Sequence, residues 1–145
     1  MKKLYSTVFI IACCASLTFS QSIDLGITAI IDPAPGASVD INYSDSIKFT
    51  LVNYGPAIAG TDTITFVWFV DGILQAALYS LQFRSTFPTS ALATISAQVD
   101  FSQINNPTIT VGNTYSICFA VAMPGIDTNM SNDSACANYT ITTQV

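Results

Sequence analysis

Residues 114–141 read TYSICFAVAMPGIDTNMSNDSACANYTI, and the fold follows outward from this stretch. Tyr115, Ile117, Phe119 and Val121 occupy alternate positions in its first half, as do Ala135, Ala137, Tyr139 and Ile141 in its second. A period of two marks a β-strand with one buried face. The Pro, Gly, Asn and Asp residues between the two runs favour turns, so the stretch predicts a β-hairpin. Each strand holds one cysteine, and Cys118 and Cys136 are symmetric about residue 127 in the middle of the loop. With Ile117, Phe119, Tyr139 and Ile141 facing inward, both cysteines face outward and stand opposite each other. That predicts a disulfide between neighbouring strands of one sheet, at the spacing of a non-hydrogen-bonded pair. In the chain-entropy picture, closing a loop of this length stabilises a fold by about 3 kcal/mol.

A disulfide places the chain outside the reducing cytosol, and the N-terminus agrees. Lys2 and Lys3 precede a mostly apolar run from Leu4 to Phe19, and Thr18 and Ser20 put small residues where a signal peptidase reads. The expected cleavage follows Ser20, giving a signal peptide over residues 1–20 and a single mature domain over residues 21–145. An uncleaved anchor and a lipoprotein joined to lipid at Cys13 are the other readings of this segment. N-terminal sequencing separates the three. Without the signal, Lys48 and Arg84 face nine aspartates, a formal net charge of −7, and Cys118 and Cys136 are the remaining cysteines. So acidic a surface argues against nucleic acid or anionic lipid as partner, and no membrane span is expected after signal removal.

The rest of the mature chain repeats the β pattern. Ile23, Leu25 and Ile27 alternate up to the break at Asp32-Pro33, and Ile47, Phe49 and Leu51 alternate up to Asn53-Tyr54-Gly55-Pro56. Thr63 to Val70 is the most apolar run, with Ile64, Phe66, Trp68 and Val70 on one face. Asp71-Gly72 then supplies the positive φ angles of a tight hairpin turn, so Ile73 to Ser80 is expected to return antiparallel beside that run. Leu74, Leu78 and Leu81 also sit at helical spacing, but the turn favours a strand. Leu81 to Ser90 reads as a crossing loop, and Ile95, Ala97, Val99 and Phe101 alternate in a fifth run before Asn105-Asn106-Pro107. Helix formers are scarce, and the expectation is an all-β sandwich.

Several segments together resemble a known family. DLGITAI at the start, TLVNYGPAIAG with Asn53 and Gly55, the run closing on VDG, and the final hairpin with Asn129 and Asn132 are similar to the CARDB family, the cell-adhesion-related domain of bacterial secreted and surface proteins. The resemblance spans residues 24 to about 142. It implies a seven-stranded immunoglobulin-like β-sandwich and a role in adhesion or protein contacts. The cysteine pair is an addition to the family pattern. Antibody domains bridge their two sheets from a cysteine on the second strand, and none stands there.

Few catalytic groups remain. The chain has no histidine and no glutamate, and its mature cysteines are assigned to the bridge, so the usual nucleophile and base pairs are missing. No enzyme and no cofactor is expected. Asp127, Asn129, Ser131 and Asp133 space oxygen ligands as an EF-hand loop begins, yet Asn132 replaces its glycine and Asn138 its bidentate glutamate. Asp127, Asn129 and Asp133 are therefore weak metal candidates and read first as turn residues. The strand parity that turns the cysteines outward also turns out Val67 and Phe69, with Ala120 and Ala122 on the neighbouring strand. Such an apolar outer face marks an interaction site unless the crossing loop, with Leu81, Phe83 and Phe87, covers it. Val67, Phe69, Phe83 and Phe87 are accordingly the candidate binding face. Ser46, Thr63 and Ser134 each follow an aspartate and precede an apolar residue, which resembles the O-glycosylation acceptor pattern of some Gram-negative bacteria. The leading expectation is a surface domain that contacts a protein or glycan; a carbohydrate-binding module and a structural spacer of a longer protein are the alternatives.

Overall fold

Alternation in the sequence becomes pairing in space along most of the chain. The computed structural model describes residues 23–42, 44–75, 79–104, 106–122, 127 and 129–143. The expected signal peptide over residues 1–20, with Cys13, lies outside the described residues, as do the new N-terminus at Gln21, Leu78 and Asn105. The elements are β1 (Leu25–Asp32), β2 (Ser38–Asp40), β3 (Ser44–Asn53), β4 (Thr63–Val70), β5 (Ile73–Leu74), β6 (Tyr79–Gln82), β7 (Leu92–Asp100), a 3-10 turn at Phe101–Gln103, β8 (Thr114–Val121) and β9 (Ser134–Thr142). One sheet has the order β1-β3-β7. The other runs β2-β9-β8-β4-β5, with β6 also paired to β4.

The inner faces hold the residues that the period of two selects. Ile64, Phe66, Trp68 and Val70 of β4 and Tyr115, Ile117, Phe119 and Val121 of β8 are buried, facing Ile47, Phe49 and Leu51 of β3. Phe49 joins the sheets: its ring stacks on Phe119 with centroids 4.9 Å apart and meets the edge of Phe66 at 5.4 Å. Such contacts add to the free energy of burying the rings. Tyr115 closes the approach to β8, because its hydroxyl accepts from Thr110 N at 2.9 Å and donates to Thr108 O at 3.2 Å. This is the tyrosine corner of immunoglobulin-like sandwiches.

Three details differ from the sequence reading. In β1 the register shifts between Ile27 and Ala29, so the buried set moves from Leu25 and Ile27 to Ile30; a bulge changes which parity faces the core. The expected return strand from Ile73 to Ser80 is split, with Ile73 and Leu74 against the end of β4 and Tyr79 to Gln82 against its beginning. It also continues two residues further than expected. Leu81 opposite Ile64 packs against the core, which takes Leu81 out of the crossing loop. Finally, Ser38–Asp40 forms a strand parallel to β9 that no alternation announces in so short a segment. The Asp71-Gly72 turn forms as expected, with φ of 47° and 77°.

Asn53 ends β3 with a fully buried side chain. Its Nδ2 donates to Pro56 O at 2.8 Å and to Phe87 O and Pro88 O at 3.1 Å each, and its Oδ1 accepts from Gly55 N at 3.0 Å. Its backbone N–H donates to Ala91 O and its carbonyl accepts from Ser90 N. One amide thus fixes both the corner after β3 and the distant loop before β7. Asn53→Ala would remove this donor from all three carbonyls. Phe87 O keeps Ile58 N and Pro88 O keeps Ala91 N, which leaves Pro56 O to lose its partner. A buried polar group left unpaired costs about 1–3 kcal/mol. A urea titration of this variant is expected to show a loss of about 1–3 kcal/mol, and a midpoint close to that of the parent would contradict the role.

Candidate functional site

The larger sheet presents an outer face organised in rows. Leu74 of β5 stands opposite Phe69 of β4, Phe69 opposite Cys118 of β8, and Cys118 opposite Cys136 of β9. The row below runs from Val67 to Ala120 to Ser134. Cys118 and Cys136 form a disulfide with Cα atoms 4.0 Å apart, the close approach of a non-hydrogen-bonded pair. The hairpin register is symmetric about residue 127, as the cysteine positions require. Val67 and Phe69 are half-buried on this face, Cys136 is exposed, and Leu74 keeps 57% of its surface open to solvent. The bridge therefore pins β8 to β9 beside an apolar row that β4 and β5 continue.

Phe83 and Phe87 do not join that row, which corrects the sequence expectation. Phe87 is buried in the core and bridges backbone to backbone with Ile58. Phe83 stacks on it with ring centroids 4.3 Å apart. Leu81 faces the core as well, so none of the three residues expected to cover the outer face does so. The physical reason is the turn of the chain out of β6 toward the smaller sheet, which aims these side chains between the sheets. Sequence alternation ends at Gln82 and carries no signal for that direction.

The weak metal candidates serve another purpose. Asp127 Oδ2 accepts from Leu25 N at 2.8 Å and its Oδ1 from Asn129 N at 3.0 Å. Asn132 Nδ2 donates to Asp24 Oδ1 at 2.8 Å, and Asn132 O accepts from Ile27 N at 3.0 Å. The loop before β9 is thereby strapped to the start of β1. The strap passes so close to Gly26 that a Cβ there would lie 2.7 Å from Tyr54 Cε2 and 3.0 Å from Asn132 O, so any larger residue forces a shift. Among the described residues, no group of three or more His, Cys, Asp or Glu is arranged to hold a metal. Of the three hydroxyls in the acceptor-like pattern, Thr63 and Ser134 are exposed at the first residues of β4 and β9, and Ser46 is half-buried within β3. Thr63 Oγ1 accepts from Gln82 Nε2 at 2.9 Å. No helix among the described residues is long and apolar enough to cross a membrane.

This sandwich is similar to the CARDB domain of the PF1109 protein from Pyrococcus furiosus. The crystal structure of that domain, in complex with di-metal ions, matches at a TM-score of 0.57 and 13% identity, over 86% of this chain and 97% of that one. The chain has the CARDB fold. A solution NMR structure of the same archaeal domain matches at a TM-score of 0.55 and 14% identity, over 86% and 99% of the two chains. No family model and no curated protein matches the chain. On this CARDB fold the apolar row and the disulfide share the outer face of the larger sheet.

Two consequences are measurable. Replacing Cys118 and Cys136 together by alanine is expected to cost about 3 kcal/mol in a urea titration, from the release of the loop between them. An unchanged midpoint would show that the bridge constrains nothing the strands do not. In the strap, burial pushes the Asp133 carboxyl above its ordinary value, and the charges of Asp127 and Asp24 push it the same way. A carboxyl raised in the fold binds its proton more tightly than in the unfolded chain, so this group favours folding increasingly as pH falls from neutral toward the carboxylate range. Asp133→Asn is expected to raise the midpoint at neutral pH and to flatten that acid-side gain. A lower midpoint at neutral pH would reverse the assignment.

Proposed function

We propose that this chain is an exported, non-enzymatic β-sandwich that makes adhesive or protein contacts at the bacterial cell surface, released there or to the periplasm by cleavage after Ser20. The observation that carries this reading is the apolar patch of Leu74, Phe69 and, in the next row, Val67, which lies beside the Cys118–Cys136 bridge and is not covered by Leu81, Phe83 or Phe87. Interaction surfaces combine an apolar centre with a polar rim. Ser134 and Asn138 lie further along the same face, on β9. The resemblance to an adhesion-related family adds support by analogy of fold alone.

A protein partner fits this surface better than a sugar. Sugar platforms are built from exposed rings, and the stacked pair Phe83 and Phe87 is directed into the core. Purified exported chain, labelled with a fluorophore, is expected to bind intact cells of the producing strain saturably. Leu74→Asp and Phe69→Asp are expected to weaken that binding roughly tenfold or more, as substitutions at a buried interface centre do. Undiminished binding by folded variants would remove the row from the function. Absence of any binding by the parent would favour a spacer, and a sugar on a glycan array that competes for the same site would favour a carbohydrate-binding module.

A further inference from the structure

We propose that β7 is the seam of a homodimer, in which the β7 strands of two copies pair antiparallel and merge their smaller sheets into one continuous sheet. The inference concerns the sheet opposite the apolar row and stands without the reading of that row.

A sheet edge displays unpaired N–H and C=O groups, and soluble proteins guard such edges with short strands, bulges, lysine, proline or inward charge. Three of the edges here are guarded in those ways. The β1 edge has two register shifts and ends at Asp32-Pro33. On the larger sheet, β2 has three residues, and the opposite edge is divided between β5 with two and β6 with four. The β7 edge has none of these devices. It is nine residues long, pairs with β3 without a register shift from Ser44↔Asp100 to Val52↔Leu92, and has no described strand on its other side. From Leu92 to Val99 it contains no charge, no proline and no glycine.

The side chains of β7 select a second copy as the occupant. Outward-facing Leu92, Thr94, Ser96 and Gln98 are exposed and neutral, while Ala93 and Ile95 on the inner face pack against the core yet remain half-exposed at the rim. In an antiparallel pair about a two-fold axis on a residue, opposite residues have the same parity. With the axis at Ser96, the inner residues Ala93 and Ile95 meet Val99 and Ala97, Thr94 meets Gln98, and Leu92 meets Asp100 only at the two ends of the seam. Charge points the same way. The mature chain carries nine aspartates against two cations, so where charged side chains of two copies meet, most meetings set aspartate against aspartate. The stretch between Asp71 and Asp100 has no aspartate, and all of β7 except its last residue, Asp100, lies within it.

Sedimentation velocity of the full exported chain over a dilution series tests this. The expected result is a dimer that dissociates on dilution. Ser96→Lys is expected to raise the dissociation constant roughly tenfold or more, since like charges then face each other across the axis, and Ser96→Asp to raise it less, because Lys48 stands opposite it on β3. An equimolar mixture of the two is expected to restore the dimer. Gln98→Lys serves as the second variant, with far-UV circular dichroism confirming that each remains folded. A chain that is monomeric at every concentration, a dimer indifferent to both lysine variants, or a mixture that stays monomeric would overturn the proposal.

Discussion

The buried amide of Asn53 is the constraint on which the sandwich depends. A polar side chain out of water is tolerated only when it is hydrogen-bonded. Here the amide meets that condition with carbonyls from two segments more than thirty residues apart, at distances of 2.8 and 3.1 Å. Were either segment to move, buried polar groups on both sides would lose partners together. That coupling is why the end of β3, the corner at Gly55 and the entry to β7 form one unit. It also explains the placement of Phe87, whose carbonyl is one of the acceptors: a backbone held to Asn53 carries its ring into the core. The loss of Phe87 from the outer face and the anchoring of the crossing segment are thus one event.

The outer face of the larger sheet follows from that event. With the crossing segment drawn inward, the alternate residues of β4 and β8 that point away from the core are left facing outward, and the disulfide fixes the spacing of β8 and β9 beside them. A bridge between directly opposed residues of one sheet holds register and leaves the contact between sheets to the aromatic core around Phe49. The bridge and the core therefore act on different degrees of freedom. The first resists sliding of the last hairpin, and the second resists separation of the layers.

Much of this was legible in the sequence wherever alternation was long and regular. The last hairpin is the clearest case, because two runs and two cysteines symmetric about residue 127 fix both register and face. β4 and its Asp71-Gly72 turn were legible for the same reason. The strand limits were harder. In β1 the bulge near Thr28 changes the inward parity, and a bulge depends on the partner strand as much as on the residues that form it. The three-residue β2 is too short to show a period. The direction of Phe83 and Phe87 depends on Asn53, and a hydrogen bond spanning 34 residues leaves no local pattern. At the candidate site, parity located Val67, Phe69 and both cysteines, while Leu74 belonged to a strand whose break no pattern marked.

The strap between Asp127 and the start of β1 shows how an acidic chain uses its surplus charge. Carboxylate oxygens are strong acceptors for backbone N–H groups, and Asp127 satisfies Leu25 and Asn129 while Asp24 receives Asn132. Closing this loop buries the Asp133 carboxyl, whose Oδ1 has no hydrogen-bond partner, and burial first, then the charges of Asp127 and Asp24, push its pKa up. That burial, with the repulsion added to it, is the cost of closing the first strand onto the last hairpin. The chain tolerates that cost because the strap's hydrogen bonds replace water at groups that the closure has already buried. The same loop leads into β9, so the strap that orders β1 also orients Ser134 and Cys136 on the outer face.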